Sequence, residues 1–312
     1  MPQAAIRVGT RSSQLALWQA NWVAEALHHL GHPVEIIHIS TKGDVTQGPL
    51  GEIGGQGLFT KEIQAALLDG RIDVAVHSLK DLPTAPTPAL TLAAIPPREA
   101  CGDVLVAREP STLESLKPNA VLGTGSVRRK AQALHIRPDL EVRDIRGNVE
   151  TRLRKMDEGD YDAIILAEAG LRRLLLNERI QHVLDKRQML PAVGQGALGI
   201  EIRVKDEATR AAVSQLDHPA SRQAVTAERT LLADLRGGCL APVGAWGRID
   251  DKDSLLHLDG CVVSGDGVQK ILATACGPAD KAVEIGHQVA AQLKIQGAER
   301  IISYSRNTGG MG

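Results

Sequence analysis

The chain has 312 residues, of which 43% are hydrophobic, 23% are charged and only 2% are aromatic. This length predicts one to three domains with sizeable cores, and the scarcity of aromatic side chains argues against a surface that stacks nucleobases. The 36 basic and 37 acidic residues leave a net charge of -1, which argues against wholesale binding to nucleic acid or to an anionic membrane.

The first third of the chain alternates predicted strands and helices. Apolar residues recur every three or four positions between Leu15 and Leu30, which predicts a helix capped by Ser12 or Ser13. The glycine-dense loop at 41–57 is typical of a lid, a binding loop or a disordered segment. Strands are predicted at 6–8, 34–39, 73–77 and 91–95, and helices at 15–30 and 59–70.

A second set of strands and helices lies between two predicted hinges, Pro96-Pro97 and 191–196. Alternation of strand and helix favours parallel sheets, whose ligands lie beyond the carboxyl ends of the strands. The runs at 8–12 and 122–126 have the same shape, a strand followed by Gly-Thr and a serine, and predict two similar lobes. Strands are predicted at 121–122, 140–145, 162–166 and 197–203, with helices ending near 135, 156 and 176.

The last third of the chain has a different pattern. Short turns such as Ser264-Gly265-Asp266-Gly267 join its strands, which is a hairpin signal, so we predict a separate α+β domain. Helices are predicted at 221–235 and 282–293, and strands at 243–249, 255–263 and 268–274.

The cysteines and the first residues bear on the cellular compartment. No two cysteines form a C-x-x-C pair, and Met1 to Ile6 show no basic segment followed by an apolar run. A disulfide framework and a signal peptide are therefore not expected. No apolar run approaches the roughly 18 residues of a membrane span, and a reducing cytoplasm is the expected location.

Arginines stand beside capping residues at several strand-to-helix junctions. A helix N-terminus offers free N–H groups and partial positive charge, and a guanidinium suits carboxylate or phosphate. Each arginine could instead be a solvated side chain, although a cation at a helix N-terminus is unfavourable without an anion. No nucleotide-phosphate motif follows a strand, so we expect a small polyanion in a cleft. The arginines are Arg11, Arg128, Arg129, Arg146, Arg152 and Arg173.

Asp81 directly follows the predicted buried strand at 73–77 and stands beside Lys80. Nearby cations favour its ionised form, which can stabilise a developing cation or manage its proton. It could also be a simple turn aspartate before Leu82-Pro83. His77 and the other histidines lack metal-ligand spacing and are interpreted as surface or capping residues, so no metal site is expected.

Cys239 lies in a loop at 235–244, between two glycines and a proline. Such a loop displays a thiol, although a buried cysteine that acts as a small hydrophobe is the alternative. Gly237 and Gly238 are interpreted as leaving room for a group tethered there.

Short motifs run through the chain in a fixed order, and each alone is weak. They are TRSSQLALWQA at 10–20, GLFTKE at 57–62, HSLKDLP at 77–83, GTGSVRR at 123–129, RGNV at 146–149, AGL at 169–171, PAVGQG at 191–196 and GGC at 237–239. The ordered set resembles the porphobilinogen deaminases (hydroxymethylbilane synthases) across essentially the whole chain.

The resemblance implies a transferase that condenses four porphobilinogen molecules head to tail, with release of ammonia, in porphyrin and haem biosynthesis. It also implies a dipyrromethane cofactor held as a thioether by Cys239. The expected protein is a cytoplasmic monomer without nucleic-acid or membrane partners, and its product would pass to a uroporphyrinogen III synthase.

The resemblance also assigns roles to residues. Asp81 would be catalytic and would stabilise the azafulvene-like cation left when the aminomethyl nitrogen departs. The cofactor would be bound by Cys239, Ser78, Lys80, Asp81, Ser126, Arg128, Arg129, Arg146 and Gly170. The substrate would be bound by Arg11, Ser13, Arg146, Arg152, Arg173 and Gln195.

The fold implied by the resemblance is α/β, with two periplasmic-binding-protein-like (type II) lobes around a cleft and a C-terminal α+β domain. Gln56, Glu168 and the segment 98–103 depart from the family pattern, which puts lid and hinge contacts in question. The expected boundaries are 1–96 with 197–215 for lobe 1, 102–190 for lobe 2 and 219–312 for the C-terminal domain.

Two other readings stay open from the residues alone. A non-catalytic two-lobe protein that binds a small polyanion would explain the arginines, but it gives no reason for Asp81 or Cys239. A thiol enzyme would use Cys239 as a turnover nucleophile, and its native form would then be inactivated by thiol reagents at that residue.

Overall fold

The computed structural model describes residues 4–39, 58–238, 241–250 and 252–308. The predicted loop at 41–57, with Gln56, and the cysteine at 239 lie outside these residues. In the part of the chain that is described, no helix is long and apolar enough to span a membrane.

The helices and strands follow one another as two α/β sets and a final α+β set. In chain order they are β1 (Ile6–Thr10), α1 (Gln14–His29), β2 (Val34–His38), α2 (Leu58–Leu68), β3 (Val74–Ser78), β4 (Leu90–Ala94), β5 (Asp103–Ala107), β6 (Val121–Gly123), α3 (Val127–Ile136), β7 (Glu141–Arg143), α4 (Val149–Asp157), β8 (Ala163–Ala167), α5 (Glu168–Arg173), β9 (His182–Val183), β10 (Leu198–Arg203), α6 (Glu207–Val213), α7 (Pro219–Asp234), β11 (Val243–Ile249), β12 (Leu256–Val263), β13 (Lys270–Gly277), α8 (Ala282–Ile295) and α9 (Ala298–Thr308).

The chain folds into two compact units. The first holds the first predicted lobe, whereas the second holds both the second predicted lobe and the predicted C-terminal domain. The first consists of Met1–Arg98 and Ala197–Arg222, and the second of Glu99–Gly196 and Gln223–Gly312. The chain thus changes units next to Pro96-Pro97 and directly after the segment 191–196.

The two α/β sheets share one topology, which confirms the prediction of two similar lobes. The order is β2-β1-β3-β10-β4 in the first and β7-β6-β8-β5-β9 in the second. In each sheet the first three strands are parallel and the fourth is antiparallel to both neighbours. The expectation of parallel sheets is therefore wrong for β10 and β5. Each of these strands comes directly after a change of unit, without the crossover helix that returns a chain parallel to its start.

The first sheet has a helix-covered core on each face. Val8, Val74 and Ile200 are fully buried in one core with residues of α1 and α6. Ala75 is fully buried on the opposite face, where α2 packs. The run of apolar residues in β3 follows from its central place in the sheet, since both of its faces are covered.

The C-terminal part of the second unit is a three-stranded antiparallel sheet in the order β11-β12-β13. Residues of α7, α8 and α9 share one core with its buried face. The last strand starts at Lys270, two residues later than predicted, because the turn extends to Gln269, whose carbonyl accepts a hydrogen bond from the Ser264 N–H at 2.8 Å. Val268, which was predicted to begin the strand, lies in that turn and is 76% exposed.

Candidate active site

A pocket in the first unit lies at the carboxyl ends of β1 and β3, next to the first turns of α1 and α2. This is the position that the strand and helix alternation predicts for a ligand. Three predicted substrate and catalytic residues, Arg11, Ser13 and Asp81, line it together. The other lining residues are Leu15, Ala16, Gln19, Thr60, Ile63, Val76, His77 and Ser78.

The turn that carries Arg11 is fixed from both sides. The Thr10 hydroxyl lies 3.2 Å from the Arg11 carbonyl oxygen and 3.0 Å from that of Ala16, so it can donate to either. Ser13, not Ser12, caps α1, because its hydroxyl oxygen accepts from the Ala16 N–H at 3.4 Å. Arg11 therefore stands before the cap, where its guanidinium lines the pocket beside the free end of a helix.

Asp81 reaches the same pocket from a short 3-10 turn, Leu79–Asp81, that follows β3. Leu79 anchors this turn in the core, where it is 1% exposed, while Asp81 itself is exposed. Ser78 is held from the other side, because buried Gln19 donates to its hydroxyl at 2.8 Å. A carboxylate and a guanidinium thus line one pocket, which suits a substrate that carries an anion and develops a positive charge.

Arg128 and Arg129, by contrast, are buried in the second unit against Asp103. Nη1 of Arg128 lies 2.7 Å from Oδ2 of Asp103, and Arg129 donates from Nε and Nη2 to Oδ1 at 3.0 and 2.8 Å. The two arginines are 4% and 5% exposed and Asp103 is fully buried. Burial alone would raise the pKa of Asp103, but the attraction of both guanidinium groups holds that pKa well below its usual range.

Gln195, predicted to bind substrate, is buried at 1% exposure and joins two segments of the second unit. Its amide nitrogen lies within 3.0 Å of the carbonyl oxygens of Cys101 and Gly102 and of Oδ1 of Asp103. The structure therefore ties the segment 191–196 to the start of β5 through this side chain. Its proposed contact with substrate stays a prediction.

Arg173 is also buried, on α5 of the second unit, and its Nη2 donates to the carbonyl of Gly196 at 2.7 Å. Burial lowers its pKa to about 10, although the Glu99 carboxylate opposes this shift. The contact of Arg173 with substrate stays a prediction.

The remaining predicted ligands of the second unit lie at helix starts. Ser126 caps α3, where its hydroxyl accepts from the Arg129 N–H at 3.4 Å, and Gly170 is buried inside α5. Arg146 is exposed and pairs with Asp144 at 2.7 Å, and Nε of Arg152 donates to a backbone carbonyl. The contacts of these residues with cofactor and substrate carboxylates stay predictions.

Two departures from the family pattern, Glu168 and the segment 98–103, contact each other. A side chain at Gly102 would begin 2.9 Å from Oε2 of Glu168, and the Glu168 N–H donates to the Gly102 carbonyl at 3.1 Å. The other oxygen of Glu168 accepts from Arg172 at 2.6 Å, and this hydrogen bond raises the pKa of Arg172. The two changes are therefore one local feature of the second unit.

The backbone before Cys239 is tight. Gly238 has a φ of 62°, a left-handed conformation that favours glycine. Gly237 is buried, and a Cβ there would lie 2.7 Å from Leu232 and 2.9 Å from Ala241. The interpretation that Gly237 leaves room for a tethered group is wrong, because Leu232 and Ala241 already occupy that space.

His77 is not a surface or capping residue, which corrects the interpretation of its sequence context. It is 4% exposed, and its Nε2 lies 3.0 Å from Oε2 of Glu201. Since a carboxylate only accepts hydrogen bonds, the Nε2–H of His77 is the donor. Among the described residues, no group of three or more histidine, cysteine or acidic side chains could hold a metal ion.

Sequence reasoning missed several polar residues that shape these sites. Asp103 stands directly before an apolar run, the same signal that identified the strand after Asp73, but β5 was not predicted. Glu201 is an acidic residue inside an apolar strand, which is a signal of a buried partner. Gln19 and Thr60 lie on helices with nothing in the local sequence that distinguishes them.

Comparison with known proteins identifies the relatives of this chain. The family model described as "Porphobilinogen deaminase, dipyromethane cofactor binding domain" matches residues 6–211, and the model of the C-terminal domain of the same family matches 222–295. The porphobilinogen deaminase of Desulforudis audaxviator is 49% identical, over 96% of this chain and 97% of that protein. That of Syntrophotalea carbinolica is 46% identical, over 97% of this chain and 96% of that protein.

Solved structures show a more distant likeness. A periplasmic substrate-binding protein of an ABC transporter from Coxiella burnetii is 15% identical, with a TM-score of 0.43, over 72% of this chain and 96% of that one. The methionine-binding protein MetQ is 12% identical with a TM-score of 0.44, over 74% of this chain and 94% of that one.

Proposed function

Because the chain belongs to the porphobilinogen deaminase family, whose members are transferases that make hydroxymethylbilane, we propose that Asp81 is its catalytic carboxylate and Arg11 an anchor for substrate carboxylates. One observation carries the proposal: Arg11, Ser13 and Asp81 line a single pocket in the first unit. The reading of a non-catalytic binding protein has no support from the family.

The reaction requires different interactions from Arg11 and from Asp81. Porphobilinogen carries acetate and propionate groups, for which the planar guanidinium of Arg11 is a suitable partner. Loss of its aminomethyl nitrogen as ammonia leaves positive charge on the pyrrole. The Asp81 carboxylate, fixed by its short turn, stabilises that charge as it develops and needs no rearrangement to do so.

The family model that matches 6–211 is that of the dipyrromethane cofactor domain, and when bound this group supplies the primer to which new rings are added. We place its attachment at Cys239, where the left-handed Gly238 turns the chain sharply just before the thiol. The buried cation of Arg173 and the capped start of α3 at Ser126 belong to the same unit and suit its carboxylates. Ser78, Lys80, Arg146, Arg152, Gly170 and Gln195 keep the ligand roles that the resemblance gives them.

The catalytic role is tested by Asp81→Asn, with Asp69→Asn as the matched control, since Asp69 is an exposed carboxylate of the same unit. Purified protein is given porphobilinogen, and ammonia and uroporphyrin are measured. We expect Asp81→Asn to lower kcat by on the order of a hundredfold or more, with an unchanged unfolding midpoint. Asp69→Asn should match the wild type, and near-normal kcat in Asp81→Asn would refute the role.

The attachment site is tested by intact mass, with Cys276→Ser as the control, because Cys276 is an exposed cysteine of the same unit. The wild type and Cys276→Ser should exceed their sequence mass by one dipyrromethane. Cys239→Ser should lack that excess and most activity. An unmodified mass in wild-type protein that still makes tetrapyrrole would overturn the assignment, and inactivation of the native protein by thiol reagents at Cys239 would favour the thiol-enzyme reading.

A cytoplasmic location, a monomeric state and transfer of the product to a uroporphyrinogen III synthase remain predictions from the resemblance. Size-exclusion chromatography of the purified protein tests the second of these.

A further inference from the structure

A buried polar network includes one residue of the pocket wall in the first unit, His77, and has no part in the chemistry described above. His77 on β3 donates to Oε2 of Glu201 on β10, at 3.0 Å. Gln64 on α2 donates from its amide nitrogen to both oxygens of the same carboxylate, at 3.0 and 3.1 Å. We call these three side chains the His77 network. It joins two strands and a helix through one carboxylate.

Burying the His77 network costs free energy, because its polar groups lose their contacts with water. His77 and Glu201 are each 4% exposed, and the side chains of an apolar pair would fill the same space without desolvating polar groups. A buried hydrogen-bonded pair of this kind is weak support for stability, because well-packed apolar replacements are often as stable. Its geometry, unlike that of an apolar pair, is directional, so it fixes the positions of the elements it joins.

His77 itself lines the pocket, and Gln64 stands close to another residue that does. His77 is followed directly by Ser78 and by the short turn that ends at Asp81. Gln64 lies one helical turn after Thr60, on the same face of α2, and Thr60 lines the pocket. Glu201 connects the two, because β10 is paired with β3 there, with Gly199 opposite His77 and Glu201 opposite Ala75.

We infer that His77, Glu201 and Gln64 are positioning residues that set the distance between the turn of Asp81 and the first turn of α2. The inference rests on the proposed function of Asp81. In this proposal the network acts by holding β3 and α2 in one register. A displacement of about 1 Å in a reacting group can cost on the order of a hundredfold in rate, so a loosened network should lower kcat more than it raises KM.

The first unit contains a matched control on the same pair of strands. At the opposite ends of β3 and β10, Asp73 accepts from Arg203 at 2.7 Å and from Arg7 at 2.8 Å. This ion-pair cluster is less buried than the His77 network, with side-chain exposures of 14% for Asp73, 37% for Arg7 and 26% for Arg203, and it lies at the other end of β3 from the pocket. If the polar networks of this sheet only stabilise the fold, breaking either one should lower the unfolding midpoint and affect kcat equally.

The experiment compares His77→Leu, His77→Gln, Gln64→Leu and Asp73→Asn in purified holoenzyme, with kcat, KM and the unfolding midpoint measured for each. His77→Leu should lower kcat by on the order of tenfold or more while KM changes less than about twofold. His77→Gln keeps a donor at the position of Nε2 and should recover most of the loss. Gln64 is only half-buried, so Gln64→Leu should fold even if His77→Leu does not, and should lower kcat several-fold.

Asp73→Asn should lower the unfolding midpoint and leave kcat unchanged. Equal losses of kcat in Asp73→Asn and His77→Leu, or wild-type kcat in both His77→Leu and Gln64→Leu, would overturn the inference.

Hydrogen exchange tests the inference separately from the proposed function. His77→Leu should speed amide exchange in α2 and at 79–82, whether or not the wild type consumes porphobilinogen. Unchanged amide exchange in α2 and at 79–82 would also contradict the inference. A wild type that does not consume porphobilinogen would contradict only the proposed function.

Discussion

The two junctions at residues 9–13 and 123–129 begin alike and end differently. Each follows the corresponding strand of its sheet, β1 or β6, and each is capped by a serine whose hydroxyl accepts a hydrogen bond at 3.4 Å from an N–H three residues later. At the first junction, Arg11 precedes the cap and lines the pocket. At the second, Arg128 and Arg129 follow the cap and are buried with Asp103.

At these two junctions, the arginine before the N-cap lines a pocket, whereas the two arginines after the N-cap are buried. Before the cap, the chain is still turning out of the sheet, and the side chain projects beyond the strand ends. After the cap, the side chain belongs to the first helical turn, where partial positive charge disfavours a cation. Asp103 removes that penalty in the second unit, so its arginine pair is part of the core.

The largest expected effect is therefore on stability, from Asp103→Ala. It leaves two buried guanidinium groups without their carboxylate and should cost about 3–5 kcal/mol of unfolding free energy. Denaturant titration measures it. The control is Asp139→Ala, which breaks the less buried pair with Arg137, whose side chains are 16% (Arg137) and 36% (Asp139) exposed, and should lower the midpoint much less. Similar losses of unfolding free energy in both variants would mean that burial does not increase the contribution of Asp103 to stability.

A charge-conserving substitution sharpens the comparison. Arg129→Lys keeps the cation but loses the fork that reaches Asp103 and the Ile165 carbonyl, so it should cost about 1.5–3 kcal/mol of stability. Arg11→Lys at the first junction should leave the unfolding midpoint unchanged and raise KM for porphobilinogen several-fold. Denaturation and steady-state kinetics on both variants test these expectations. If Arg129→Lys raised KM but kept the wild-type unfolding midpoint, the difference proposed between the two junctions would be wrong.

The shared part of the junctions was predictable, and the contrast was not. Gly-Thr after a strand and a serine before a helix are local signals, and they located both junctions correctly. Local sequence could not choose between Ser12 and Ser13, which are adjacent and chemically identical. Arg128 meets Asp103 from 25 positions away and His77 meets Glu201 from 124 positions away, so both partners depend on strand order. That order includes the antiparallel β10 and β5, which hydrophobic periodicity does not reveal.

Acid should weaken the ion pairs of Asp73 in the first unit. Burial would raise the pKa of Asp73, but hydrogen bonds from Arg7 and Arg203 lower it to about 2. A carboxyl whose pKa is lower in the folded state than the ordinary value near 3.8 stabilises the fold at neutral pH. That stabilisation is lost as pH falls from about 4 to 2.

Asp73→Asn should therefore be less stable than the wild type at pH 7, and the gap should narrow towards pH 2. Urea titrations at several pH values measure it. In the second unit, Arg128 and Arg129 likewise hold the pKa of Asp103 well below its usual range. If the difference in unfolding free energy between Asp73→Asn and the wild type stayed constant from pH 7 to pH 2, the pKa of Asp73 would not be lowered in the folded state.

The smallest effects concern the serines that the junctions share. Ser13→Ala and Ser126→Ala each remove the acceptor for one N–H at a helix start, and each should cost about 1 kcal/mol of stability. Ser→Gly at either site should cost only a few tenths of a kcal/mol, because glycine is tolerated as an N-cap. Ser13 lines the pocket, so both of its variants should also raise KM, whatever their stability. If Ser13→Gly restores both stability and KM to wild-type values, then Ser13 acts through the helix cap alone and the substrate role predicted for its hydroxyl is wrong.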